Sequence, residues 1–194
     1  MKTIEVHAAP SEYILKKGAL ELLESKLIER NHKKVLVVRG VKSWEAAKAY
    51  WPVMDHVHYE EYVYSGECSL AEIEKVSTMV ASQQYEAIIG VGGGKVLDLV
   101  KAAGNETHKP VILIPTLASN CAPWTPLSVL YDEFGAFIRY DIYPVSTSLL
   151  LIEPEILVKA PLDLFIAGIG DTLAKWYEAD VQLRGIDDKT VPMM

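Results

Sequence analysis

Residues 87–104 read AIIGVGGGKVLDLVKAAG, which places a continuous apolar run, three consecutive glycines and a helical repeat end to end. A short apolar run without polar alternation suits a strand buried on both faces, as in a parallel sheet. Three successive glycines lose much backbone freedom on ordering, so they are retained where a ligand or another chain must come very near. At a strand-to-helix junction, Gly92, Gly93 and Gly94 would present backbone N–H groups and a helix N-terminus, an arrangement suited to phosphate or pyrophosphate. The standard fingerprints do not fit. G-x-G-x-x-G starting at Gly90 would need glycine where Lys95 stands, and a Walker A loop would need Ser or Thr where Val96 stands. On the following helix Val96, Leu97, Leu99, Val100 and Ala103 form an apolar face, which sets Asp98 and Lys101 on or near the opposite side. The competing explanation is a tight turn with an exposed Asp and Lys.

Two further runs, VLVVRG from Val35 and VILIPT from Val111, are of the same buried type, and LLLIEPEIL from Leu149 supplies a fourth strand. Helical periodicity lies between them, in GALELLESKLIER before the first strand, SWEAAKAYW after it, and Leu70 to Gln84. Ser69 with Glu72 three residues on predicts a capping box at the start of the last of these. Alternating strands and helices imply right-handed crossovers and an open sheet covered on both faces, with ligands beyond the carboxyl ends of the strands. The glycines occupy that location. From Thr116 to Tyr143 the residues turn small, polar and aromatic, which predicts a long loop or hairpin excursion. After Pro161, a residue suited to a first helical turn, apolar residues recur at helical spacing. The expected class is therefore α/β: a parallel, Rossmann-like nucleotide-binding sheet over residues 1–158, then the start of an all-helical second domain over 159–194.

Composition narrows the function. The 19 basic and 26 acidic residues leave a formal charge of −7, which disfavours nonspecific nucleic-acid binding. Cys68 and Cys121 are the only cysteines and fit no metal-ligand spacing, so a reduced, cytoplasmic setting is expected. No apolar run reaches membrane-spanning length.

Three segments in order, GVGGGKVLDLVKA, IPTLASNCAPWTPLSVLY and GIGDTLAKWYEA, resemble the iron-containing, or group III, alcohol dehydrogenases, and in particular their glycerol dehydrogenase-like branch. The resemblance implies a nucleotide-binding domain, a C-terminal all-helical domain, a divalent metal, zinc or iron, in the cleft between them, and a homo-oligomer. It assigns the pyrophosphate-binding turn to Gly92, Gly93, Gly94 and Lys95, with Asp98 beside it. Thr116 and Ser119 match the loop against the phosphates and nicotinamide. Thr125, Leu127 and Tyr131 match the segment lining the cofactor and substrate side, and Asp171 matches the first metal ligand. A carboxylate with imidazole nitrogens suits zinc or ferrous iron as a Lewis acid. Taken alone, Asp171 could equally cap a helix starting at Thr172.

Three departures shape the expectation. The remaining metal ligands of the family are histidines of the helical domain, yet His7, His32, His56, His58 and His108 all precede Asp171. The chain is therefore expected to be a truncated copy with exposed apolar surface around Phe165, Ile166 and Ile169; the His56 and His58 pair reads as the exposed face of a strand. Secondly, glycerol dehydrogenases typically carry STDAP where this chain has SNCAP, so Cys121 replaces the Asp that receives a polyol hydroxyl. That substitution, with IEPEI and GIGDTLAKWYEA, resembles the hydroxycarboxylate dehydrogenase subgroup, which acts on 2-oxo and 2-hydroxy acids; a buried structural Cys is the competing explanation. Thirdly, NAD-preferring relatives usually place an Asp at the end of the first strand, where this chain has Arg39 and Gly40. A guanidinium can bind a 2′-phosphate, so NADP(H) is favoured over NAD(H); otherwise Arg39 is a solvated strand-end charge. The expected function is hydride transfer between a nicotinamide dinucleotide and a small 2-hydroxy or 2-oxo acid or polyol, with a catalytically silent nucleotide-binding module as the alternative. Cys121, Thr125 and Tyr131 are the substrate-pocket candidates.

Overall fold

The computed structural model describes residues 9–184. Eight strands are present among them: β1 (Tyr13–Leu15), β2 (Lys34–Arg39), β3 (His58–Val63), β4 (Ala87–Gly92), β5 (Val111–Pro115), β6 (Leu127–Tyr131), β7 (Phe137–Ile142) and β8 (Leu149–Ile152). The helices are α1 (Leu23–Glu29), α2 (Val41–Ala47), α3 (Leu70–Ser82), α4 (Gly94–Thr107), α5 (Pro154–Leu157) and α6 (Leu162–Leu183). Six strands form one parallel sheet in the order β1-β8-β5-β4-β2-β3. The apolar runs sit where their composition requires: β4 and β5 are buried at every position, because helices cover both faces. One core joins Leu36, Val38, Ile88 and Leu113 to α3 and α4, and the opposite core joins Val35, Val37, Ile89 and Ile112 to α1. Register pairs Arg39 with Val91 and Gly92 with Pro115, so β2, β4 and β5 end together along one edge.

The four expected strands are all present, and the α/β parallel architecture is as expected. Two edge strands escape an apolar-run criterion: β1 has only three residues, and β3, HYEEYV, is polar because its rim faces solvent. His58 opens β3 and is exposed as expected, whereas His56, also exposed, lies in a bend before the strand, so the pair does not share a strand face. The capping box forms by half. Ser69 Oγ accepts the Glu72 N–H at 3.3 Å, but the Glu72 carboxylate is turned inward, accepting from Ser65 N–H at 2.8 Å and the Tyr62 hydroxyl at 2.9 Å.

The excursion is a hairpin: β6 and β7 pair antiparallel with a bulge after Leu130, and Asp132 accepts the N–H groups of Phe134 and Ala136 to close the turn. Pro161 stands at the cap immediately before α6. That helix runs through Asp171 without a break, so Asp171 does not cap a helix beginning at Thr172. Of α6, Gly168 is the one buried residue; Phe165, Ile166, Ile169 and Trp176 are exposed, as expected for the first three.

Candidate dinucleotide site

Gly92 ends β4 and α4 starts at Gly94, so the turn between strand and helix consists of glycine alone. Gly93 is the N-cap and offers no side chain, leaving first-turn N–H groups without a side-chain acceptor. The glycines are also demanded by packing. A Cβ would lie 2.9 Å from Val96 at Gly92, 2.9 Å from Leu117 at Gly93, and 2.7 Å from the Asn120 amide at Gly94. Residues of the 116–120 loop therefore close over the turn. Thr116, almost fully buried, is tied to it by its N–H, which donates to Gly92 O at 3.0 Å.

Beside this turn lies a crevice of about 600 Å³, at the carboxyl ends of β2, β4 and β5. Gly40, Gly93, Gly94 and Thr116 line it, and so do three lysines, Lys42, Lys95 and Lys159, while no carboxylate does. That charge balance, with uncapped N–H groups at a helix N-terminus, suits an anion the size of a pyrophosphate. A hollow of similar volume, about 620 Å³, lies between α3 and α4 but carries Glu74 and Glu106 and no glycine turn. Its charge suits no polyphosphate. Lys95 Nζ is held 2.5 Å from Glu67 and lies 5.3 Å from the centre of the Tyr131 ring, which brings the hairpin to the rim of the crevice.

Two expected positions change. Arg39 shares its strand face with Val35 and Val37, because alternate residues of β2 point the same way. Its guanidinium pairs with Glu61 of β3 at 2.5 Å and stacks on Trp44 at 5.0 Å, and it does not line the crevice. It is neither a free anion receptor nor a solvated charge. The strand end that faces the crevice is Gly40, followed by Lys42 in the first turn of α2. Asp98 and Lys101 are also misplaced by a single apolar face: both are more than nine-tenths buried, because α4 packs on the sheet along one side and on β6 along another. Asp98 thus lies under the hairpin, one turn along α4 from Gly94. Burial pushes its carboxyl up from the usual Asp range, against the opposing pull of Lys101.

The remaining expected residues of the loop and hairpin do not line the crevice; Tyr131 reaches its rim through Lys95. Ser119, Thr125, Leu127 and Tyr131 are half-buried, and Cys121 is exposed. Thr125 N–H donates to Cys121 O at 3.2 Å, and Tyr131 N–H to Cys68 O at 3.0 Å. The exposure of Cys121 removes the buried-structural explanation for it; Cys68 is the buried thiol. Asp171 lies on α6, with Lys175 Nζ 3.5 Å from its carboxylate. Among the described residues no three His, Cys, Asp or Glu side chains come together to hold a metal. A catalytic metal takes about three protein ligands. The described residues therefore fit a dinucleotide and do not by themselves fit a metal.

The family profile described as iron-containing alcohol dehydrogenase matches residues 10–154. The chain belongs to the iron-containing alcohol dehydrogenase family. Among curated members, it is 36% identical over 172 residues to glycerol dehydrogenase of Thermotoga maritima, covering 88% of this chain and 47% of that one. It is 34% identical over 179 residues to hydroxycarboxylate dehydrogenase A of Escherichia coli, covering 92% and 49%. The crystal structure of glycerol dehydrogenase from Schizosaccharomyces pombe superposes with a TM-score of 0.80 at 28% identity, over 94% of this chain and 47% of that one. A probable glycerol dehydrogenase from Sinorhizobium meliloti gives 0.82 at 26%, over 94% and 50%. The chain spans about half the length of these family members.

Lys42 and Lys159 have no place in the reading of the sequence, and Lys101 figures there only as a polar-side residue of α4. Lys42 follows the strand end by three residues, and that spacing was the available signal; Lys159 reaches the crevice only through tertiary packing.

Proposed function

We propose that this chain binds a nicotinamide dinucleotide in the crevice at the glycine turn, as part of an oxidoreductase acting on a small 2-hydroxy or 2-oxo acid or a polyol. The observation that carries the reading is the crevice itself, with three lysines, no carboxylate and an uncapped helix N-terminus at its wall. The N–H groups after Gly93, with Lys95, would hold the pyrophosphate. Thr116 and Ser119 would lie along the phosphates and nicotinamide, and Leu127 and Tyr131 beside the reacting ring. When bound, the nicotinamide gives or takes the hydride. Cys121 and Thr125 form an uncharged wall on the substrate side, which favours a carboxylate-bearing substrate over one that needs an acidic hydroxyl acceptor.

NADP(H) is favoured over NAD(H), with Lys42 rather than Arg39 as the cation. Gly40 leaves the crevice-facing strand end without the carboxylate that would repel a 2′-phosphate. Asp171 alone cannot hold a divalent ion; metal assistance would need ligands that the described residues do not bring together. Residues 159–184 would open a helical second domain, for which the exposed apolar face of α6 is the support; residues 185–194 of the expected domain lie outside the described residues. The same face favours homo-oligomeric assembly, and two free thiols favour a cytoplasmic setting.

The test is a fluorescence titration of the chain with NADPH, with NADH in parallel, followed by addition of a small 2-oxo acid and zinc. Saturable binding with consumption supports the full reading. Binding without consumption supports the catalytically silent module, and absence of binding to either dinucleotide refutes the site.

A further inference from the structure

The segment from Cys121 to Pro126 that leads into β6 is irregular, and buried irregular backbone leaves carbonyls without partners. Here one side chain supplies them. Lys101 Nζ donates to Ala122 O at 2.8 Å, to Thr125 O at 3.1 Å and to Leu127 O. An ammonium has three hydrogens, and all three are used. Asp98 Oδ1 lies 2.9 Å from the same nitrogen and is held by charge. Its other oxygen accepts the Val129 N–H at 3.1 Å, and its backbone carbonyl accepts Ser128 Oγ at 2.7 Å. Asp98 and Lys101 are one turn apart on α4, the helix whose N-terminus forms the glycine turn.

We propose that Asp98 and Lys101 are positioning residues: a buried ion pair that fixes the 121–131 segment relative to the glycine turn, and so sets where the nicotinamide end of a dinucleotide rests. This rests on the dinucleotide reading above. One helix then serves two parts of the ligand, its first turn taking the central pyrophosphate and its second turn placing the wall around the nicotinamide ring. The carbonyls converge on a charge, and three acceptors aimed at one point define position more sharply than apolar contact, which tolerates sliding. Tyr131 beside Lys95, and Leu117 and Asn120 against the glycines, are the contacts through which a displaced segment would be felt in the crevice.

The experiment compares NADPH with 2′-phospho-ADP-ribose, the same molecule without its nicotinamide, and NADH with ADP-ribose, on the 194-residue chain. The ratio of affinities isolates the contribution of the nicotinamide, and the emission of bound NADPH reports its surroundings. Lys101→Met should leave the fragment's affinity within about twofold, lower that of NADPH by about tenfold or more, and return the emission toward that of free NADPH. A general loss of stability would weaken both ligands together. Asp98→Asn combined with Lys101→Met leaves no lone buried charge, so it serves if the single variant does not fold, and the same selective loss is expected. Val129 N–H exchange should quicken in either variant. A folded variant with unchanged nicotinamide contribution and emission overturns the proposal, as does a wild-type chain that binds NADPH no better than its fragment. Wild-type protein that binds none of the four molecules refutes the dinucleotide reading itself, and the positioning role falls with it.

Discussion

Replacing Gly40 by aspartate tests which residue at the end of β2 reads the adenosine ribose. The position tolerates a side chain: its φ of −88° is extended backbone, and a Cβ would lie 3.0 Å from Ser43 Oγ and 3.2 Å from the edge of the Tyr64 ring, gaps that need shifts of a few tenths of an ångström. Gly40 is also the N-cap of α2, where aspartate exceeds glycine by only a few tenths of a kcal/mol, so stability should hardly change. The new carboxylate would enter a crevice that has none and stand two residues from Lys42. A ribose hydroxyl donating to it contributes about 1.5–3 kcal/mol to NADH. A 2′-phosphate about 4 Å away would be repelled by up to ~4 kcal/mol at an effective dielectric constant of about 20. A net change of about 2–4 kcal/mol moves the NADH-to-NADPH affinity ratio by roughly 30-fold to 1000-fold. Paired fluorescence titrations measure it, with circular dichroism as the control for folding. Arg39→Gln should alter the ratio less than about twofold, because Arg39 is engaged by Glu61 and Trp44. A folded Gly40→Asp protein with an unchanged ratio, or a ratio that collapses in Arg39→Gln, would show the assignment of this subsite to be wrong.

Three other outcomes follow from the packing. Gly104→Ala should destabilise by about 1–3 kcal/mol in urea unfolding, because its Cβ would meet Val111 Cγ2 at 2.2 Å and Lys109 O at 3.1 Å, outweighing the ~1 kcal/mol helix-propensity gain; a stabilised variant would refute this close approach of α4 to β5. In native protein near pH 8, iodoacetamide should alkylate Cys121 and spare Cys68, whose thiol is fully buried and pushed by that burial up to about 12; equal labelling would count against the packing under the hairpin. Burial pushes the Glu72 carboxyl up, but hydrogen bonds from Ser65 and Tyr62, together with Lys75, outweigh it and leave it below the usual 4.5. Its contribution is therefore present above that pH and lost as pH falls through the lower folded value. Wild type should exceed Glu72→Gln by about 1.5 kcal/mol at neutral pH, with the gap closing below pH 4.5 in acid-titrated unfolding curves; a gap that stays constant with pH would remove Glu72 from the acid limb.

Much of the scaffold was legible because parallel strands buried on both faces must be apolar over their buried length, and β4, β5, β8 and the Val35–Val38 core of β2 are. The glycine turn was legible because its three residues sit at a strand-to-helix junction. The edges were not: β3 is polar by virtue of its place at the rim, and no local pattern distinguishes such a strand from a loop. Arg39 illustrates a different limit. Its place at the strand end could be read, but which way it pointed depended on the face shared with Val35 and Val37 and on Glu61 from the next strand.

What the sequence determined by itself is the α/β class, the four central strands and a phosphate-suited turn, since these rest on local periodicity and on backbone freedom at glycine. Only the tertiary structure decided that Gly40 and Lys42 line the crevice while Arg39 does not, and that Asp98 and Lys101 are buried. Helix α4 is amphipathic when considered against one neighbour. In the folded chain it packs on the sheet, on α3 and on the 122–129 segment, and a charged pair that would face water on an isolated helix instead satisfies the backbone of that segment.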